Sequence, residues 1–482
     1  MISFQRHVLS ALSLSLLVCA CAVVPTSPPA LVSAPTQYKE TGTWRKASSE
    51  ASPVPDAWWL LFNDSILNDL ERRVVIGNEN LKVSIAQLAS SRAVLEASRS
   101  ATLPLASAGL SATRSASSAA SSAALQNPGN VVGLSASASW ELDVWGRLAQ
   151  ASAGAQAGYH ASANDLAAAT LSLQALLAQA YFSLRSQEAQ QSLLGRSVQA
   201  YQRALDLIHV RRLGGVAALA DELQAQTQLV NAQSQLAEVV AQRALLEHAI
   251  AVLLGVSPST FSIAPTAKVP PTVLVPMTLP SELLQRRPDI AAAQQRVAAA
   301  NAQVGVADAA FFPALSLSST VGYNQTSFAN LVSAPNLVWS LGTTLAHSIF
   351  DGGQHKLASA QARSSFEQAT AIYRQLVLTS LQEVEDNLIL SAQLQKEVEL
   401  QTQALQSAQR SLEITMDQYR AGTVSYLNVA VAQNVALTTE SALLSTRNRQ
   451  LASVNQLLKN IAGRWQDVDL VPEDTQNGMS GK

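Results

Sequence analysis

The sequence predicts an α+β membrane protein made from one helix–strand–strand–helix–helix unit written twice, and three observations lead there. The first is a repeat of long period. Asn80-Leu-Lys-Val-Ser-Ile-Ala-Gln-Leu leads to Leu103-Pro104, and Asp289-Ile-Ala-Ala-Ala-Gln-Gln-Arg-Val leads to Phe312-Pro313, so position 80 is answered at 289 and 104 at 313. Trp145-Gly146-Arg147 is answered by Gly352-Gly353-Gln354, and Gly215-Val-Ala-Ala-Leu-Ala-Asp221 by Gly422-Thr-Val-Ser-Tyr-Leu-Asn428, at a separation two residues shorter. The deletion falls between Pro104 and Gly146, in a turn-like part where length changes cost least. The second observation is four segments of strand character with two-residue alternation, two per repeat, the one at 105–114 weaker because its apolar face is mainly alanine. The third is two long proline-free stretches with seven-residue apolar spacing.

The amino terminus sets the compartment. Arg6 and His7 precede an apolar run from Val8 to Val18, too short to span as a mature helix and suited to a signal-peptide core. Residues 1–20 are read as that signal. The run ends Leu17-Val18-Cys19-Ala20-Cys21, which resembles a bacterial lipobox; Cys21 is the better acceptor because small Ala20 precedes it, whereas Val18 precedes Cys19. The alternative is two thiols in an ordinary secretory signal. Ala22 carries no acid that would suggest inner-membrane retention, which leaves the outer membrane as the default. These are the chain's two cysteines, so the exported body has no disulfide framework. Residues 21–56, rich in Pro, Ser, Thr and Ala, read as an acylated tether.

Composition argues for an assembly. The chain is 48% hydrophobic and 14% charged, against about 25% charged in ordinary soluble domains, which is too little charge to coat a monomer. Net charge is −2 with charges interspersed, so there is no basic footprint for nucleic acid. After the signal no uninterrupted apolar run reaches the length of a membrane helix, and any crossing must use strands.

The first repeat is placed at 57–265 and the second at 266–465, with a tail at 466–482. In Leu134-Ser-Ala-Ser-Ala-Ser-Trp140-Glu-Leu142 the apolar residues take every second position, and Leu315, Leu317, Val321 and Tyr323 alternate with Ser316, Ser318, Thr320 and Gly322. Strands are expected at about 105–114, 131–142, 315–323 and 337–349, each near the ten residues of a tilted membrane strand. Trp140, Trp145, Phe311, Phe312 and Phe350 cluster at the strand ends near the helices, as an interfacial girdle does. A soluble hairpin with one core face is the alternative, disfavoured because a water-facing strand carries more charge. Ser115–Asn130 and Asn324–Asn336 read as outward loops.

Helical hairpins are expected at about 147–254 and 354–462. Leu166, Leu173, Leu194, Tyr201 and Ile208 share a seven-residue register interrupted by Ala180 and Gln187; Val377, Val384, Val398, Leu405, Leu412 and Tyr419 do the same in the second copy. About 66 residues at 1.5 Å each give a rod of roughly 100 Å, a coiled-coil length. Each rod turns back at Gly214-Gly215 or Gly422. Four strands cannot close a barrel, and open edges are not tolerated in lipid, so the chain must oligomerise.

Leu283-Leu-Gln-Arg286-Arg287-Pro288-Asp289-Ile290, Ala310-Phe311-Phe312-Pro313, Trp140-Glu-Leu-Asp143-Val-Trp145-Gly146-Arg147, Ile349-Phe350-Asp351-Gly352-Gly353 and Tyr419-Arg-Ala-Gly422-Thr-Val-Ser-Tyr-Leu closely resemble the TolC-like outer membrane factors, in particular their lipoprotein (NodT-type) branch. The resemblance runs from about Trp44 to Trp465. It implies a homotrimer whose twelve strands form one outer-membrane barrel, continuous with a long periplasmic α-helical coiled-coil barrel. It further implies the exit duct of a tripartite efflux pump, fed by a periplasmic adaptor (membrane fusion) protein and an inner-membrane efflux transporter. A protein-secretion duct and a surface-anchored coiled-coil lipoprotein without a pore are the alternatives.

In the resembling family an acidic residue six after the first tip Gly bonds to a Tyr three before the second. Here Asp221 and Tyr419 hold those places, with Asp417 and Arg420 beside them. The family's frequent acidic ring is replaced by Asn428 and Val431. Arg211, Arg212, Gly214, Gly215, Gly422 and Thr423 form the tips expected to contact the adaptor. A bland alternative leaves Asp221 favouring its helix N-terminus and Tyr419 ending the heptad seam. The six histidines have no metal-ligand spacing, and no phosphate loop or nucleophile elbow occurs, so no cofactor, metal or catalytic residue is expected. Pro288-Asp289 has a local explanation as the first turn of a helix.

Overall fold

Helix and strand follow one another in the expected order in both copies. The computed structural model describes residues 35, 37–40, 57–116, 129–266, 268–273, 275 and 286–461. Cys21, nearly all of the tether, most of the first outward loop and the C-terminal tail lie outside the described residues. The helices are α1 (Ser65–Gly77), α2 (Glu79–Ser100), α3 (Arg147–Leu213), α4 (Leu219–Leu253), α5 (Pro288–Ala309), α6 (Gln354–Arg420) and α7 (Tyr426–Ile461). The strands are β1 (Leu105–Ser115), β2 (Gly129–Leu142), β3 (Ala314–Gln325) and β4 (Leu337–Ala346). α3 and α6 each run 67 residues, the matched rods of the duplication.

Compactness does not follow the repeat boundary, because each of two units takes pieces of both copies. The unit holding Ala86–Ala163 and Ala292–Arg374 carries the sheet. Its strands are antiparallel in the order β1-β2-β3-β4, so among the described residues β1 and β4 pair on one side only. The register sorts the faces. Ser107, Ser137, Thr320 and Ser340 form one cross-strand row, and the Ser107 and Ser137 hydroxyls lie 2.8 Å apart. One position along, Ala108, Ala136, Val321 and Trp339 form a row on the opposite face. Trp339 is 76% exposed, and its neighbours in that row are also uncovered within one chain.

β4 stops at Ala346, short of the expected 349. Ala346 pairs with Ala314, and the residue before Ala314 is Pro313, which has no N–H to extend the ladder. Ile349 and Phe350 are therefore outside the strand and almost wholly exposed. At the same end Trp145 stacks on Phe312 at 5.0 Å and its indole N–H donates to the Pro313 carbonyl at 2.6 Å. Asp143 accepts the first N–H groups of α3, from Leu148 and Ala149, and Asp351 does this for α6 from Gly353 and His355.

The other unit, Val32–Ile85, Asn164–Ala291 and Gln375–Lys482, holds the main apolar core. Trp58 and Phe62 from a short 3-10 turn join Leu67, Leu70 and Val74 of α1, packed against Leu177, Tyr181, Phe182 and Leu184 of α3 and Leu451, Val454 and Leu458 of α7. This packing moves the seam. Leu194, Tyr201 and Ile208 are buried on the expected seven-residue register, but from Glu188 back to Leu177 the buried face of α3 shifts to Leu184, Tyr181 and Leu177. The interruption at Ala180 and Gln187 marks where α1 and the 3-10 turn, absent from a simple hairpin, add their side chains to the core.

A buried ion network ties the segment after α4. Glu188 takes the Arg185 guanidinium at 2.6 Å and that of Arg243 at 3.2 Å, and these arginines donate to the Ala264 and Ile263 carbonyls. By length and mean composition α3 contains one window apolar enough to cross a membrane, although Thr170, Ser172, Gln174 and Gln179 interrupt it, so no uninterrupted apolar run of that length occurs there. The same helix places Leu177, Ala178, Phe182 and Leu184 in the core, which accounts for the buried third of that window.

Candidate functional site

The two hairpin tips repeat one backbone device. α3 ends with the Val216 N–H bonded to the Arg211 carbonyl and the Gly215 N–H to that of Arg212; α6 ends with Thr423 to Gln418 and Gly422 to Tyr419. This is the 6→1 and 5→2 closure of a helix by a residue in the left-handed region, and Gly215 and Gly422 sit there at φ +75° and +77°. A side chain at either position would strain the turn. Thr423 adds its hydroxyl to the Gln418 carbonyl at 3.0 Å.

Behind the tips all four helices meet in a small apolar cluster of Ala204, Ile208, Ala225, Tyr419, Tyr426, Val429 and Ala430. Tyr419 and Tyr426 pack edge to face at 5.8 Å. The Tyr426 hydroxyl donates to the Gln228 amide oxygen at 3.0 Å, and the Gln228 amide donates to the Ala430 carbonyl at 2.9 Å. Burial, with Tyr201, Tyr419 and the Asp221 carboxylate nearby, pushes Tyr426 up to about 12.

Charged groups on the first tip satisfy each other. Glu222 accepts from the His209 Nδ1 at 2.7 Å and pairs with the Arg212 guanidinium, and these two partners, His209 first, hold its carboxyl below the usual range against a smaller effect of burial. On the second tip Arg420 pairs with Asp417 at 3.1 Å, both well exposed.

Asp221 and Tyr419 are not joined by a hydrogen bond among the described residues. The face of Tyr419 is taken instead by Arg211, whose guanidinium carbon lies 4.7 Å from the ring centroid. Arg211 also donates to the Tyr419 and Arg420 carbonyls, at 3.2 Å each. Asp221 stands in the first turn of α4, where the helix dipole favours an acid. Asn428 and Val431 are exposed on α7. His209, Gln228 and Tyr426 were not singled out from the sequence; Tyr426 alone had a visible signal, in the Thr-Val-Ser-Tyr-Leu run after Gly422.

Comparison with known proteins matches both copies. The family described as "Outer membrane efflux protein" matches residues 72–256 and 279–463, two segments whose starts and ends are each separated by the spacing that relates the two tips. The toluene efflux pump outer membrane protein TtgF of Pseudomonas putida is 30% identical over 487 residues, covering 98% of this chain and 100% of the relative. The pyoverdine export outer membrane protein OpmQ of Pseudomonas aeruginosa is 30% identical, with 95% of this chain and 97% of the relative covered. The solved outer-membrane channel OprN superposes with a TM-score of 0.85 at 25% identity, over 92% of this chain and 100% of that one. With both halves matched and nearly the whole chain aligned, the protein belongs to the outer membrane efflux protein family.

Proposed function

We propose that three copies of this chain close into one duct that passively releases small molecules to the outside, fed by an inner-membrane transporter through a periplasmic adaptor. The observation that carries it is the four-stranded sheet with one Ser/Thr/Gly face, one apolar face and, among the described residues, both edges open, on a chain of this family. Only neighbouring copies can pair those edges in lipid, and a wet lumen suits the hydroxyl rows. Toluene and pyoverdine, named for two relatives, support a cargo of small molecules. The chain acts as a conduit without catalysis, with Cys21 as its acyl anchor and the paired tips as its periplasmic gate and adaptor contact.

Gene deletion, planar-bilayer conductance and palmitate labelling test the reading together. Deletion is expected to lower tolerance to toxic organic compounds while secreted proteins stay unchanged, and Cys21→Ser to abolish the label. Loss of secreted protein instead would favour a secretion duct. A purified protein that conducts no ions would sink the pore.

The strand phase is tested by arginine substitutions. Arginine at Ala138 or Val321, on the apolar face, is expected to cost roughly 2–4 kcal/mol near the bilayer midplane and to reduce assembled protein. At Ser137 or Thr320 the same residue is expected to assemble and change conductance. The opposite ranking would place the faces the other way round.

A further inference from the structure

We infer that Arg211 is the latch between the two hairpin tips, a positioning residue for the periplasmic aperture; this rests on the reading of the tips as the gate. The last carbonyls of a helix have no partner inside it and carry the negative end of its dipole. At the end of α6 the Arg211 guanidinium, arriving from α3, bonds two of them, at Tyr419 and Arg420, while its carbon lies over the Tyr419 ring, 4.7 Å from the centroid. One side chain thus meets two acceptors, a dipole and an aromatic face, a combination that needs a planar fork as well as a charge.

The neighbouring charges are engaged within their own hairpins. Arg212 and His209 are held by Glu222, and Arg420 by Asp417. The cluster of Ala204, Ile208, Ala225, Val429 and Ala430 beneath is apolar, and the Gln228 bond lies deeper along the helices. Arg211 therefore supplies the directional contact at the extremity. The duplication makes the strap one-way. Four residues before the tip glycine the first copy has Arg211, and the second has Gln418, which carries no charge and no such fork.

Among the described residues Arg211 has no carboxylate partner, so protonation of an acid does not release it. This sets it apart from an aspartate-based latch, whose grip would weaken as pH falls.

The test uses the full-length assembled protein in planar bilayers, with spin labels on cysteines introduced at Leu213 and Thr423 in assemblies diluted with unlabelled chain. Arg211→Ala is expected to raise resting conductance roughly tenfold, the equivalent of about 1.4 kcal/mol, and to lengthen the label distance. Arg211→Lys keeps the charge and loses the fork, and is expected to restore neither in full. Wild-type resting conductance is expected to stay flat from pH 5 to pH 8. Unchanged distance and conductance in Arg211→Ala, with normal assembly, would overturn the latch, as would full rescue by lysine. A longer distance with unchanged conductance would uphold the bridge and overturn the gate.

Discussion

Arg287→Ala is expected to lower the stability of the folded chain by about 1–3 kcal/mol, less than the full cost of breaking a buried ion pair because the two carboxylates left behind are about a third exposed. Arg287 is 8% exposed just ahead of α5. It grips Asp289 with two bonds, at 3.1 and 2.8 Å, and its third nitrogen donates to Glu383 of α6 at 2.8 Å and Asn460 of α7 at 3.2 Å. Burial alone would raise the Asp289 pKa, but the guanidinium outweighs it and holds the carboxyl below the usual range. Such a lowered acid stabilises the fold above its ordinary pKa and loses that contribution as pH falls through the lowered value. Removing the arginine leaves two carboxylates and an amide oxygen facing one another. Denaturant unfolding of the variant, with assembled protein as a second readout, checks the magnitude; a loss under about 1 kcal/mol would show that solvent replaces the arginine.

Glu71→Met is expected to stabilise the protein above neutral pH and to remove a pH dependence. Glu71 lies on the buried face of α1 with no exposed surface, and neither carboxyl oxygen has a hydrogen-bond partner. Burial pushes its pKa up to about 9 from the usual 4.5. Between those values the unfolded chain has released the proton and the folded chain keeps it, so the folded state binds one more. Its contribution is complete below about 4.5 and declines as pH rises to about 9. At pH 7 the decline amounts to about 3 kcal/mol at 1.36 kcal/mol per unit. Thermal unfolding at pH 5 and pH 8 should show the wild type falling behind the methionine variant at the higher pH. Parallel behaviour of the two would mean that Glu71 is ionised in the fold.

Elements with a local cause were readable from the sequence. Alternation from Leu134 to Leu142 and from Leu315 to Tyr323 marked both central strands, because a two-faced sheet writes its period into adjacent residues. Gly215 and Gly422 marked the tips, since a left-handed closure selects glycine. What depended on distant partners was not readable. Pro288-Asp289 looked like a self-sufficient helix start, yet Asp289 serves mainly to hold Arg287 against residues 96 and 173 positions away from that arginine. Asp221 and Tyr419 occupied the expected places while Arg211 took the tyrosine, because separation from a glycine fixes which helix turn a residue is on and leaves its side-chain partner open. The shifted seam near Tyr181 likewise required knowing that α1 lies over α3.

The mismatch between Arg211 and Gln418 bears on how such an assembly can change over time. A ring whose subunits each contribute one tip repeats every substitution at every tip, so any adjustment is made all the way round or not at all. In the proposed trimer each subunit would contribute two tips from independently mutable copies, and a substitution would alter every second one. Alternate positions can then specialise, one set holding and the other being held, without a second gene. The price is that the two copies stop being interchangeable: exchanging their tip segments would move the arginine from α3 to α6 and reverse the direction of the strap.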